Sequence, residues 1–170
     1  MCSLNVAFIA LISALIALPA AALPEDKGQP IHIKADKAMR DEKRGITVYS
    51  GNVSMDQGTL HIEAEKITIY RITEEADKIV ARGKPARLSQ QPAPDKAAVH
   101  AEAGIIEYYK SEDRVRLSEN ASLKQEGSTV TGATIDYFIA DQLVKANSNR
   151  EAQDSRVEVI IPASALQADP

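Results

Sequence analysis

The sequence predicts an all-β protein, a stack of bent antiparallel strands built by internal repetition. Apolar and polar residues alternate, as in Val53 and Met55, then Leu60 and Ile62, the period of a strand with one buried face. A motif of the form apolar–x–small–x–x–apolar returns four times: Ile33–Ala38, Ile62–Ile67, Ala101–Ile106 and Val130–Ile135. Its small residues, Ala35, Ala64, Ala103 and Gly132, lie 29, 39 and 29 residues apart, and repetition at such a period marks an architectural unit. In each copy the apolar spacing widens from two to three, as between Ala64 and Ile67. A slip of one residue swaps faces, so each strand must bend or bulge there. A small residue at the bend lets backbones approach closely.

Taken in order, the chain begins with an uninterrupted apolar run, Val6 to Ala20, followed by "PAAA" at Pro19–Ala22. That is the pattern of a secretory leader removed after Ala22, shorter than a comfortable membrane span. Residues 1–22 are therefore expected to be a signal peptide, 23–162 one β domain and 163–170 a flexible tail. The n-region "MCSLN" carries no Lys or Arg, which leaves a retained membrane anchor as the alternative. Cleavage would remove Cys2, the sole cysteine, so the exported domain would be held without disulfides.

Within the domain, "QPIHIKAD" (Gln29–Asp36) opens the first strand, and the mixed-sign run Arg40–Arg44 is a hairpin tip. "SGNVSMDQG" (Ser50–Gly58) follows, with Gly51-Asn52 as a turn or bulge and Gly58 as a turn. "ITEEADK", with Glu74, Glu75 and Asp77, reads as a solvated loop, and "RGKPARLSQ" (Arg82–Gln90) as the next strand. The Pro-containing stretch Ser89–Ala98 is an inserted loop. "SENASLKQE" (Ser118–Glu126) then echoes the first unit at an offset of 68, placing Asn120 on Asn52, Leu123 on Met55 and Ile135 on Ile67. Alternation ends with "SRVEVIIP", Ser155–Pro162. A stack of this kind leaves a strand edge bare at each end, and bare edges invite pairing with another chain.

The formal charge of −4 argues against a nucleic-acid partner, which calls for a basic stripe. With five Tyr, two Phe and no Trp, the core is expected to be aliphatic: Ile31, Ile33, Val53, Met55, Leu60, Ile62, Ile67, Ile69, Leu88, Ile106, Leu117, Leu123 and Ile135. His32, His61 and His100 invite a metal reading, and His61/Glu63 and His100/Glu102 form H-x-E pairs. Yet each histidine directly precedes the first apolar residue of a repeat unit, which puts all three on the outer face. No G-x-S-x-G elbow or phosphate-binding glycine loop occurs. The expectation is a binding protein, with no catalytic residue, metal site or cofactor.

"QPIHIKAD", "YSGNVSMDQGTLHIEAEK" (Tyr49–Lys66), "GKPA" (Gly83–Ala86) and "RVEVIIP" (Arg156–Pro162) resemble the OstA-like family of periplasmic lipopolysaccharide-transport proteins. The resemblance spans nearly the whole chain after the leader. Glu119 departs from it, standing where the second "GN" would carry glycine. The resemblance implies an open β-jellyroll with an apolar groove that carries lipopolysaccharide from the inner-membrane LptC subunit to the outer-membrane LptD–LptE translocon. It carries lipid-facing roles to Ile31, Ile33 and Leu88. Together with the inward alternation, the groove is expected along Ile31, Ile33, Met55, Leu60, Ile62, Leu88, Ile106 and Leu123, taking lipid A acyl chains. The assembly edges are expected at Gln29, Pro30, Ile31, His32 and Ile33, and at Arg156, Val157, Val159 and Ile161. The N-terminal edge would meet LptC, the C-terminal edge LptD, and the two edges each other, head to tail. A membrane-anchored LptC-like subunit is the alternative. A glycan- or lipid-cleaving enzyme is a more distant one, since it would need paired carboxylates or a nucleophile converging on a cleft.

Overall fold

The computed structural model describes residues 26–71, 77–149 and 156–163. The leader, Glu74 and Glu75, and the tail from 164 onward lie outside the described residues. Ten strands form a single sheet: β1 (His32–Lys34), β2 (Lys37–Asp41), β3 (Ile46–Gln57), β4 (Leu60–Tyr70), β5 (Lys78–Gln90), β6 (Val99–Tyr109), β7 (Arg114–Gln125), β8 (Ser128–Phe138), β9 (Leu143–Asn147) and β10 (Glu158–Ile160). The hydrogen-bonded order is β1-β3-β4-β5-β6-β7-β8-β10, with β2 beside β3 and β9 beside β8, and every pairing is antiparallel.

A single crease crosses this sheet. Register shifts fall between Ser50 and Val53, Glu63 and Lys66, Arg82 and Ala86, Glu102 and Ile105, and Ser118 and Ala121. At one margin the crease passes between β1 and β2, at Ala35–Asp36. At the other it passes Gly132, where β8 leaves β10 and takes up β9. All four copies of the small-residue motif thus lie on the crease. Gly51 and Asn52 resolve as a bulge inside β3 and not as a turn between strands. Gly51 has φ +81°, and a Cβ there would overlap Asp36, so glycine is needed both for the backbone and for the approach of the first strand. Glu119 and Asn120 adopt the same left-handed region at φ 65° and 60°. The second bulge therefore forms without the glycine of the first.

The crease divides the sheet into two halves, called here the β1 half and the β2 half after their outer strands. Their inner faces share one core that runs from Val53 to Tyr137. The thirteen inward residues expected from the sequence all lie in that cluster or pack against it. One expectation is corrected: the core is not purely aliphatic. Tyr108 and Tyr137 are buried at the end of the β2 half, each two residues beyond an inward isoleucine and therefore on the same face. Arg40–Arg44 is a hairpin tip as expected, with Arg44 N–H donating to Asp41 Oδ1 at 3.1 Å.

Candidate functional site

Registers carry side chains into rows that cross the whole sheet. In the β1 half, one inward row reads Ile33, Met55, Ile62, Leu88, Ala101, Leu123, Val130 and Val159. In the β2 half, the corresponding row reads Ala38, Tyr49, Ile67, Ala81, Ile106, Leu117, Ile135 and Ala146. Each row is apolar from margin to margin apart from the Tyr49 hydroxyl. Of the expected groove residues, Ile33, Met55, Ile62, Leu88 and Leu123 share the first row, Leu60 lies near its hairpin end, and Ile106 faces them from the second. Met55, Leu60, Ile62, Leu88, Ile106 and Leu123 are at most 3 % exposed. Ile31 and Ile33 are half-buried against the same cluster. Among the described residues these side chains form the buried inner faces of the two halves.

The margins differ from the interior. β1 and β10 end the path of the β1 half, so among the described residues each has one side without a strand partner. Gln29, Pro30 and Ile31 precede β1, Arg156 and Val157 precede β10, and Ile161 follows it. Val159, Ile160 and Ile161 are 53 %, 57 % and 51 % exposed. Val159 and Ile160 on β10, with Ile161 just after it, thus leave three consecutive large aliphatics exposed to water at this margin.

The outer face of the β1 half carries the histidines. His32, Asp56, His61, Ser89, His100, Lys124, Thr129 and Ile160 form one row, opposite the buried side chains as the repeat phase requires. His61 Nδ1 lies 2.6 Å from Asp56 Oδ1. That hydrogen bond, with a weaker one to Glu63, raises the His61 pKa against a smaller lowering by burial. The next outer row is Lys34, Ser54, Glu63, Arg87, Glu102, Ser122, Thr131 and Glu158; its charges alternate from Lys34 to Glu102, and Arg87 donates to Glu102 at 3.1 Å.

Two features have no counterpart in the sequence reading. On the outer face of the β2 half, Asp136 accepts from Arg114 Nη1 at 2.9 Å and from Arg116 Nε at 2.8 Å. The Arg114 guanidinium lies 4.2 Å from the Tyr109 ring centre, a stacked cation. At the hairpin end of the β1 half, Asp26 Oδ1 accepts from Thr59 N–H at 2.7 Å, and Oδ2 from Thr59 Oγ1 at 2.7 Å and Gln90 Nε2 at 3.1 Å. A cavity of about 800 Å³ lies beside the crease near β10, lined by Glu119, Asn120, Ser122, Thr131, Ser148 and Arg156 among others. None of the expected groove residues lines it.

Comparison with known proteins places this geometry. Residues 32–143 match the family described as LptA/(LptD N-terminal domain) LPS transport protein. The chain is 35% identical over 156 residues to the lipopolysaccharide export system protein LptH of Pseudomonas aeruginosa, covering 89% of each. It is 34% identical over 163 residues to the lipopolysaccharide export system protein LptA of Escherichia coli K12, covering 94% of this chain and 86% of the relative. The crystal structure of P. aeruginosa LptH, described as the LptA-homologous periplasmic component of the conserved lipopolysaccharide transport device, superimposes with a TM-score of 0.77 at 33% identity. The match covers 82% of this chain and 99% of that one.

Proposed function

The chain belongs to the LptA/(LptD N-terminal domain) family of LPS transport proteins, and from that premise we propose that it is a periplasmic, non-catalytic carrier. It takes lipopolysaccharide from LptC at its N-terminal edge and passes it to LptD at its C-terminal edge. Acyl chains of lipid A are sheltered between the two halves of the bent sheet, along Ile31, Ile33, Met55, Leu60, Ile62, Leu88, Ile106 and Leu123. The carrying observation is the unbroken apolar row from Ile33 on β1 to Val159 on β10, which reaches both bare margins. Each buried methylene contributes about 0.8 kcal/mol, so several acyl chains give ample drive without any charged contact. Ile33→Asp places a carboxylate in that row, where an unpaired charge costs several kcal/mol. The expected result is a folded protein, checked by circular dichroism, with lipopolysaccharide binding at least tenfold weaker. Binding as tight as wild type would remove the row as the lipid path.

The same row supports a specific way for copies to join. The path β1-β3-β4-β5-β6-β7-β8-β10 has eight strands, all antiparallel to their neighbours, so its first and last strands run in opposite directions. A second copy in the same orientation therefore presents its β1 antiparallel to β10. Continuing the rows sets Val159 against Ile33, Glu158 against Lys34 and Ile160 against His32 of the next copy. Inward residues meet inward residues, and opposite charges face each other. The contact is heterologous and propagates, since the two edges differ, and its backbone ladder is β-augmentation.

Delivery to the periplasm would proceed through a leader removed after Ala22. Intact-mass analysis of the periplasmic fraction should give a chain starting at Leu23. A full-length species in the membrane fraction would favour an anchored subunit instead.

A further inference from the structure

Of the side chains that the registers turn inward in the described strands, Arg40 alone is charged. It stands opposite Thr47 on β3, and its row continues through Ile69 and Ile79 to Val144 on β9. Directly opposed residues of antiparallel strands share a face, so Arg40 lies on the face that carries the buried Ile69 and Ile79. Thr47 and the Tyr49 hydroxyl accompany it at the β2 margin. At the opposite margin the inward positions of β9 are Val144 and Ala146. The two ends of this inner face are chemically unequal: one strand offers a guanidinium beside two hydroxyls, the other only aliphatics.

A cavity of about 350 Å³ lies at the β2–β3 hairpin, lined by Arg40, Thr47 and Arg71 together with Asp41, Glu42 and Gly45 among others. It brings a second guanidinium to the first. Arg71 N–H donates to Gly45 O at 2.8 Å, and a Cβ on Gly45 would overlap Arg71 O, so the Arg71 backbone is seated directly against the hairpin. Neither carboxylate holds Arg40 firmly. Asp41 belongs to the outer face by register, and its Oδ1 accepts from Arg44 N–H at 3.1 Å. Glu42 meets Arg40 at 3.4 Å with the two side chains 78 % and 60 % exposed, a surface pair that contributes little and exchanges readily for a stronger anion. A guanidinium grips a phosphate through two parallel hydrogen bonds, and the Thr47 hydroxyl can donate a third.

We propose that Arg40, with Arg71 beside it, binds a phosphate of lipid A as the lipid enters at the N-terminal margin, while the acyl chains pass onto the inner faces. This inference rests on the reading of the interior as the acyl-chain site and of the N-terminal edge as the receiving end. It supplies a headgroup contact where the lipid arrives and none on β9, at the margin where it leaves. An inward charge on an edge strand also discourages stray pairing. That role is indifferent to phosphate, which separates the two by experiment.

Two lipids make the test: purified lipid A with its phosphates, and the same lipid A after phosphatase treatment. Binding is read by displacement of an environment-sensitive acyl dye, with circular dichroism confirming that each variant is folded. Wild type should bind the phosphorylated lipid about tenfold more tightly than the dephosphorylated one. Arg40→Gln should lose that preference, binding the phosphorylated lipid about tenfold more weakly and the dephosphorylated lipid as wild type does. Adding Arg71→Gln should deepen the loss for the phosphorylated lipid alone. Inorganic phosphate in large excess should displace no more lipid A than chloride at the same ionic strength; greater displacement would assign the cavity to the free anion. An Arg40→Gln protein that keeps the preference, or that weakens for both lipids equally, would overturn the phosphate contact. A double variant no weaker than Arg40→Gln would remove Arg71 from the site. Wild type that binds neither lipid would overturn the interior reading itself, whereas wild type that binds both equally would overturn only the headgroup contact.

Discussion

Asp136→Ala should destabilise the fold by about 3 kcal/mol, near the low end of the range for breaking a buried ion pair, lowering the melting temperature by roughly 10 °C. Asp136 is 8 % exposed and holds two guanidiniums at once. Arg116 is 44 % exposed and can turn to water when its partner goes. Arg114 cannot, because its side chain is 12 % exposed and packed on the Tyr109 ring. The loss therefore falls mainly on Arg114, whose remaining ion pair is with the half-exposed Glu112 at 2.7 Å. Asp136→Asn, which keeps one acceptor oxygen, should cost less than Asp136→Ala. Urea unfolding of the three proteins gives the comparison.

The pH dependence of that cost has a definite sign. Burial would raise the Asp136 pKa, but hydrogen bonds from Arg116 and Arg114 outweigh it, and the net shift is downward. A carboxyl depressed in the folded state contributes its full stabilisation above the unfolded value of about 3.9, and loses it as pH falls through the folded value. The gap between wild type and Asp136→Asn should thus be constant around neutrality and narrow only in acid below about pH 4. A gap that widens in acid would mean that Asp136 is not held as the carboxylate.

Asp136 also marks where the sequence stops being legible. The crease was readable because a one-residue slip in an alternating pattern has a single mechanical consequence, and a small residue, alanine or glycine, marks it in every copy. The inward rows follow from the same alternation, so Ile33, Met55, Ile62, Leu88 and Leu123 could be assigned to one face before their partners were known. The Asp136 cluster depends instead on the β7–β8 register, which puts Arg116 opposite Asp136 and Arg114 opposite Phe138. Nothing in "RVR" or "IDY" announces it. Asp26 is more opaque still, since its partners Thr59 and Gln90 stand 33 and 64 residues away. Tyr108 and Tyr137, in contrast, could have been read. Each continues an inward alternation, Ile106–Tyr108 and Ile135–Tyr137, so the strand period alone puts both rings on the core face.

Val159→Asp should abolish head-to-tail assembly while leaving the monomer folded. Val159 is 53 % exposed in the free chain, so a carboxylate there is hydrated and the monomer loses little. In the joint the same carboxylate would face Ile33 within a continuous apolar row, where burial without a partner costs several kcal/mol. A chain ending before Ser155 should behave likewise, since it lacks the edge altogether. Light scattering over a concentration series is the measurement, with growth expected for wild type and none for either variant. The charged row tests the register more finely. A directly opposed cross-strand ion pair contributes about 0.2–1 kcal/mol, so Glu158→Lys and Lys34→Glu should each weaken association several-fold. Each single change also sets like charges against each other, two ammonium groups in the first case and two carboxylates in the second. Combining the two substitutions in one chain reverses the pair at every joint and should return association close to wild type. If each single variant weakens assembly and the combination weakens it further, strands pair in another register. If Val159→Asp and the truncated chain assemble like wild type, the joint does not use β10.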